Sequence, residues 1–294
     1  MVERITTGRR LFVAFNYSLL TLLSLLCLFP MIHVFAVSFS SSEAATAGLV
    51  KLWPVQFTFS SYEFVLAKPA FLTSIGVTLK RVALGVSINM ALSVLLAYPL
   101  SKEVAKFPWR TYYVWIFVIT ILFQGGLIPL YMTVKFTGIM DSIWALVLPS
   151  AVPVFNVILL LNFFRGLPKE LEEASFMDGA GHWTTMWRIM VPLSAPALAT
   201  ITLFATVNHW NSWFDGLIFM NSPEHYPLQS YLQTVVINRD LSLVSSSDMK
   251  SLAEVSDRTA QAAQIFLGAL PILLVYPFLQ RFFMKGIVLG SVKE

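Results

Sequence analysis

The chain has little charge. Asp, Glu, Lys and Arg make up 12% of its 294 residues, against about 25% in a soluble domain, so a polar shell able to keep it in water is excluded. A single cysteine, Cys27, excludes an intrachain disulfide and a cysteine-built metal site. The four histidines, His33, His182, His209 and His225, are far apart, and no H-E-x-x-H occurs. A metal centre therefore has no support in the sequence. The phosphate-loop pattern G-x-x-x-x-G-K-[ST] is also missing, since Gly179-Ala180-Gly181-His182 has no lysine after it. Without that lysine and its backbone cradle the chain cannot hold ATP in the usual way. Nothing specifies a catalytic nucleophile, which disfavours an intramembrane enzyme. The net charge of +4 comes without a basic stretch interleaved with aromatics, so nucleic acid is not an expected partner.

What is abundant is apolar surface, 56% of the residues. A helix needs roughly 20 apolar residues to cross a bilayer core. Six runs meet or approach that length, at about 11–38, 72–100, 111–134, 143–164, 192–220 and 262–284. They are continuous and Leu-rich rather than alternating, which favours helices over a barrel. The expected fold is all-α: a polytopic membrane protein of six transmembrane helices forming one domain over 1–294. Arg9 and Arg10 precede the first run as in a signal peptide, but the run is about twice the usual 7–15 residues and reads as an uncleaved helix. With the N-terminus inside, twelve of the twenty Lys and Arg fall on inner segments, among them Lys102, Lys106, Arg110, Arg165, Lys169 and Arg188. Lys51, Lys68, Lys80, Arg81, Lys135, Arg239, Lys250 and Arg258 fall outside. The positive-inside rule then puts both termini and the segment 165–191 in the cytoplasm, around a multi-pass chain in lipid.

That segment carries the most specific pattern. Glu172, Glu173 and Asp178 come early and Arg188 late, which suits helix dipoles. Gly179 stands where two short helices could meet, and Pro192 is placed to open the next apolar helix. Glu173-Ala174-Ser175, then Gly179, Ile189 and Pro192, resemble in register the EAA motif of permease subunits in bacterial ABC importers. Ser175 replaces the second Ala of that motif and Val191 its Leu. Nearly the whole chain resembles the smaller permease of the maltose-type importers, a type I importer permease. The stretches Phe123–Pro129, Asp141–Leu146, Asn208–Trp213 and Tyr226–Gln229 are similar to a branch handling oligosaccharides from polysaccharides, uronate-containing ones and alginate included. In that family the loop around Glu172, Glu173, Ala174, Ser175, Asp178, Gly179, Ile189 and Pro192 docks on an ATPase. The resemblance thus implies a second homologous permease, two ATPase subunits carrying ATP and Mg, a periplasmic sugar-binding protein and an oligosaccharide substrate. It implies an inner-membrane location, and no cofactor or catalysis in this chain.

Polar residues inside the runs are candidates for a substrate path. Asn208, His209, Trp210, Asn211 and Trp213 interrupt the fifth run: indoles stack on sugar faces and amides bond hydroxyls, although an interfacial aromatic belt gives the same pattern. Asn89, Gln124 and Asn156 either join that path or bond neighbouring helices. Lys80 and Arg81 lie about eight residues into the second run. Either that span starts at Val82, or the two make an electropositive mouth for an acidic sugar. A secondary transporter, the competing class, usually carries intramembrane carboxylates; here Asp215 is the one acid within the runs.

Overall fold

A computed structural model describes residues 7–234 and 257–290, with side chains through Phe278. Arg4, Arg239, Lys250, Lys293 and the serines near 245–247 lie outside the described residues. All described elements are helical. The helices are α1 (Thr7–Ser38), α2 (Ser42–Thr46), α3 (Ser60–Leu66), α4 (Pro69–Ser101), α5 (Arg110–Leu122), α6 (Leu127–Phe136), α7 (Ile143–Val147), α8 (Val154–Gly166), α9 (Lys169–Met177), α10 (His182–Thr185), α11 (Val191–Leu193), α12 (Ala195–Asn211), α13 (Phe214–Phe219), α14 (Leu228–Leu232) and α15 (Asp257–Gly290). A π turn, Met186–Met190, joins α10 to α11.

The chain divides into two compact units, 1–69 with 238–269, and 70–237 with 270–294. In the first, α1 presents a nearly continuous coat of exposed Leu and Phe; only Ala36 and Ser38 are buried. A helix of 32 residues is about 48 Å long, more than the roughly 30 Å of hydrocarbon it must cross. Past its end Phe39 gathers Phe35, Phe57, Phe59 and Tyr62 in edge and stacked ring contacts.

In the second unit the core lies between α4, α8, the π turn and α12. Val94, Ala97, Tyr98 and Leu100 meet Val157, Leu160, Leu161 and Phe164, closed by Met186, Met190 and Ile201. In lipid this packing is not driven by expulsion of water; close contact and small residues carry it. Gly85 is such a residue, since a Cβ there would overlap the His209 imidazole of α12.

Among the described residues three helices are long and apolar enough to cross a membrane, and six spans result if each bent pair is one. Bends break three of the runs that read as continuous in the sequence. The third run is α5 and α6 at 114°, parted by Phe123–Gly126, where Gly126 has φ +86°. The fourth bends by 46° between Ile143–Ser150 and α8, at the non-helical Pro153. In the fifth run Pro192 does not open its helix. Pro192 sits within α11, and α12 starts at Ala195 after an 82° bend. Proline has no N–H to give and its ring crowds the carbonyl four residues back. The wide π turn just before it, with the Val191 N–H bonded to the Met186 carbonyl, is where the winding adjusts. The second run is one helix from Pro69, and both Lys80 and Arg81 lie within it.

Candidate functional site

The segment 165–193 is built around one glycine. α9 begins with Glu170 and Glu172 in its first turn, where negative charge faces the positive helix end. It ends at Gly179, φ +78°, with the Ala180 N–H bonded to the Ser175 carbonyl (2.9 Å) and the Gly179 N–H to Phe176 (3.0 Å). This pair of bonds is a Schellman cap, which needs a left-handed residue where glycine stands. Asp178 forms the C-cap of α9, so it lies at the wrong helix end for the dipole role expected of it. Beyond the cap α10 turns back on α9: the buried Ser175 hydroxyl meets Thr185 Oγ1 at 2.9 Å, and Phe176 packs its ring edge-on to His182. The serine standing in for the motif's alanine therefore ties the two helices together.

A second anchor holds α9 to the end of α4. Lys102 Nζ donates to Glu172 Oε2 at 2.7 Å, Lys106 lies 3.6 Å from Oε1, and Lys102 also sits over the Tyr98 ring. Lys102 is 7% exposed and Glu172 14%. Burial holds the Lys102 ammonium below its ordinary pKa, and Glu172 raises it back only in part. Held at two points, the segment leaves the side chains of Glu173, Met177, Trp183 and Trp187 in the open; Ala174 and Pro192 are exposed and Ile189 half-buried.

The polar residues of the interior form a second group. Asn89 donates to the carbonyls of Ser150 and Ala151 (2.8 and 2.9 Å), at the break before α8, and its Oδ1 meets His209 Nε2 at 3.0 Å. Arg81 grips Asp215 with both terminal nitrogens and donates also to the Ser212 carbonyl. Asp215 in turn accepts from the Ser212 hydroxyl and the Gly216 N–H. Asn156 is buried and donates to the Ile201 carbonyl.

Three expectations change here. Arg81 is 2% exposed and neutralised by Asp215, because a cation inside the bundle is stable only with a partner; it is no open cation of an entrance, and Lys80 alone stays exposed. Gln124 lies exposed in the α5–α6 break, whereas Asn89 and Asn156 are buried. The Asn208–Trp213 cluster divides: His209 and Trp210 are buried, while Asn208, Asn211 and Trp213 are exposed. Thr185 went unnoticed in the sequence, and Lys102 and Lys106 were counted only among the inner cations, with no partner assigned. A signal for Lys102 existed, since the positive-inside rule puts it on the same face as Glu172. Likewise a lone cation and a lone acid in neighbouring runs, Arg81 and Asp215, were a pair in waiting.

A helical chain with up to six candidate spans, no strand among the described residues, and a helix–glycine–helix segment between the fourth and fifth runs has the form of a multi-pass membrane protein. Residues 6–288 match the binding-protein-dependent transport system inner membrane component family, and the chain belongs to it. It is 37% identical over 284 residues to a polygalacturonan/rhamnogalacturonan transport system permease protein, YtcP, of Bacillus subtilis (97% of this chain, 99% of the other). With protein LplC of the same organism it shares 36% identity, covering 98% and 97%. Among solved structures it is similar to a chain of a bacterial ABC transporter involved in import of the acidic polysaccharide alginate: TM-score 0.88, 33% identity, 95% and 98% covered. It is thus a sugar-importer type of permease with the fold its sequence resembles.

Proposed function

We propose that this chain carries an oligosaccharide across the inner membrane by alternating access, driven by ATP hydrolysed on two separate ATPase subunits that hold ATP and Mg. A second homologous permease completes the pathway, a periplasmic sugar-binding protein delivers the substrate, and both termini lie in the cytoplasm. The observation that carries this reading is the segment 165–193, anchored to the bundle through Lys102–Glu172 while Glu173, Met177, Trp183 and Trp187 project outward. An anchored lever with an exposed aromatic face suits a partner whose motion must reach the helices. Glu173→Lys or Gly179→Pro, reconstituted with the partner subunits, should lose uptake and binding-protein-stimulated ATP hydrolysis while the complex still assembles. Normal uptake in both variants would overturn the reading.

Acidic oligosaccharides fit best as substrate, because the YtcP-like relative is named for polygalacturonan, a uronate polymer, and the structural relative for alginate. Asn208, Asn211 and Trp213 are the members of the fifth-run cluster open to a passing sugar. Asn211→Ala should lower uptake of an alginate or oligogalacturonate fragment without lowering thermal stability, and unchanged uptake would remove that residue from the path.

A further inference from the structure

A cavity of about 520 Å³ opens between the end of α4, the start of α5, the end of α8 and α9. Its walls carry five cations, Lys102, Lys106, Arg110, Arg165 and Lys169, against three carboxylates. The pairing is uneven. Glu172 takes both Lys102 and Lys106, and Glu103 takes Lys169. Glu173, the third carboxylate, forms no ion pair among the described residues. Arg110 and Arg165 have none either; each donates only to a backbone carbonyl, of Lys102 (3.0 Å) and Leu100 (3.3 Å). The Nε of Arg110 is buried with no acceptor at all. Desolvation, and then the charge of Arg110, pull the Arg165 guanidinium below its ordinary pKa. Arg165 is exposed and Arg110 half-buried, and the two guanidinium groups, neither with a carboxylate partner and one with an idle buried donor, line the same cavity.

We propose that Arg110 and Arg165 hold a phosphate group, and that its source is the headgroup of an anionic phospholipid in the inner leaflet. Phosphate offers several acceptor oxygens to the planar guanidinium fork, and arginine suits it better than lysine does. Basic pockets between helices at a cytoplasmic surface are suited to such headgroups. The neighbourhood favours lipid over free phosphate. Trp109, Tyr112, Tyr113 and Trp115, around Arg110 at the start of α5, are all strongly exposed, and exposed Trp and Tyr mark the headgroup level of a bilayer. The inner-leaflet placement rests on the orientation proposed above, but phosphate binding is measured without it.

The test uses the full chain in neutral detergent, with phosphatidylglycerol, phosphatidylcholine and inorganic phosphate as probes. Native mass spectrometry should show phosphatidylglycerol held roughly 25-fold more tightly than phosphatidylcholine, about a factor of five for each arginine. Arg110→Gln with Arg165→Gln should abolish the preference, and Arg188→Gln should keep it. Phenylglyoxal labelling of the wild-type chain gives a readout that needs no variant: phosphatidylglycerol should slow modification of Arg110 and Arg165 but not of Arg188. Equal labelling rates with and without phosphatidylglycerol, or a preference retained in the double variant, would overturn the proposal. Protection by inorganic phosphate as strong as that by phosphatidylglycerol would overturn the lipid source.

Discussion

The middle of α4 and its C-terminal end solve one problem in different ways. Arg81 inside the helix, and Lys102 just past its end, each bury a cation against a carboxylate distant in sequence, Asp215 and Glu172. They stand about 31 Å apart along the helix axis. At Arg81 the fork takes both oxygens of Asp215, and that carboxylate also accepts from Ser212 and Gly216. At Lys102 a single close bond reaches Glu172, a second lysine shares the acid, and a cavity of about 520 Å³ lies beside it. The first arrangement fixes the turn after α12 in one geometry. The second is a point charge on a flexible stem, able to let go and re-form. The end expected to move is the one with the looser pair.

Asp215→Ala should give the largest effect, because it leaves Arg81 buried with no counter-charge, a loss of about 3–5 kcal/mol. Thermal unfolding in detergent should show it, and the apolar pair Arg81→Met with Asp215→Leu should recover much of the loss. Equal melting of single and double variants would mean that the charge is not the cause.

Glu172→Gln should cost less, about 1.5–3 kcal/mol for one hydrogen bond to a charged group, and its cost should depend on pH. Lys102 already has a lowered pKa in the folded chain. Between that value and the unfolded one, near 10.4, the unfolded chain binds more protons, so this group's contribution rises with pH. Removing Glu172 lowers the folded value further. The deficit of the variant against wild type should therefore shrink as pH climbs toward 10.4; a deficit constant from pH 7 to 10 would show that Lys102 does not titrate there.

Gly179→Ala tests the cap alone, because nothing lies within 4 Å of the added Cβ. Only the left-handed backbone is penalised, by about 1–2 kcal/mol, and Gly179→Asn should cost less. Melting unchanged in Gly179→Ala would contradict the Schellman geometry. Ser175→Ala restores the motif's own alanine yet should destabilise by about 1 kcal/mol, through the lost bond to Thr185; Thr185→Val in the same background should add little.

Much of this was legible in the sequence. Run length gave the six candidate spans, because apolar length in lipid is a nearly sufficient signal. The Glu173–Gly179 spacing gave a helix pair meeting at a glycine, because a left-handed turn narrows the choice of residue. The bends were harder. Phe123–Gly126 looked like part of an apolar run, since hydropathy averages over a four-residue break. Pro192 looked like a helix opener, since a π turn just ahead of a proline leaves no local mark. Long-range pairing was least legible: Arg81 and Asp215 lie 134 positions apart, so burial of that cation depends on a helix whose approach only Gly85 hints at.

The π turn at Met186–Met190 has one more consequence. Such a turn contains one residue more than an α turn. Deleting a single residue there would restore ordinary winding and rotate what precedes it by about 100° around the axis, the angle of one residue in a 3.6-residue turn. Trp183 would then face another direction relative to α12, with every side chain of the segment's outer face otherwise intact. The phase between the exposed aromatic face and the span behind it is thus set like a gear meshed one tooth over, so that a one-residue change in length should disconnect what a change of side chain would only weaken.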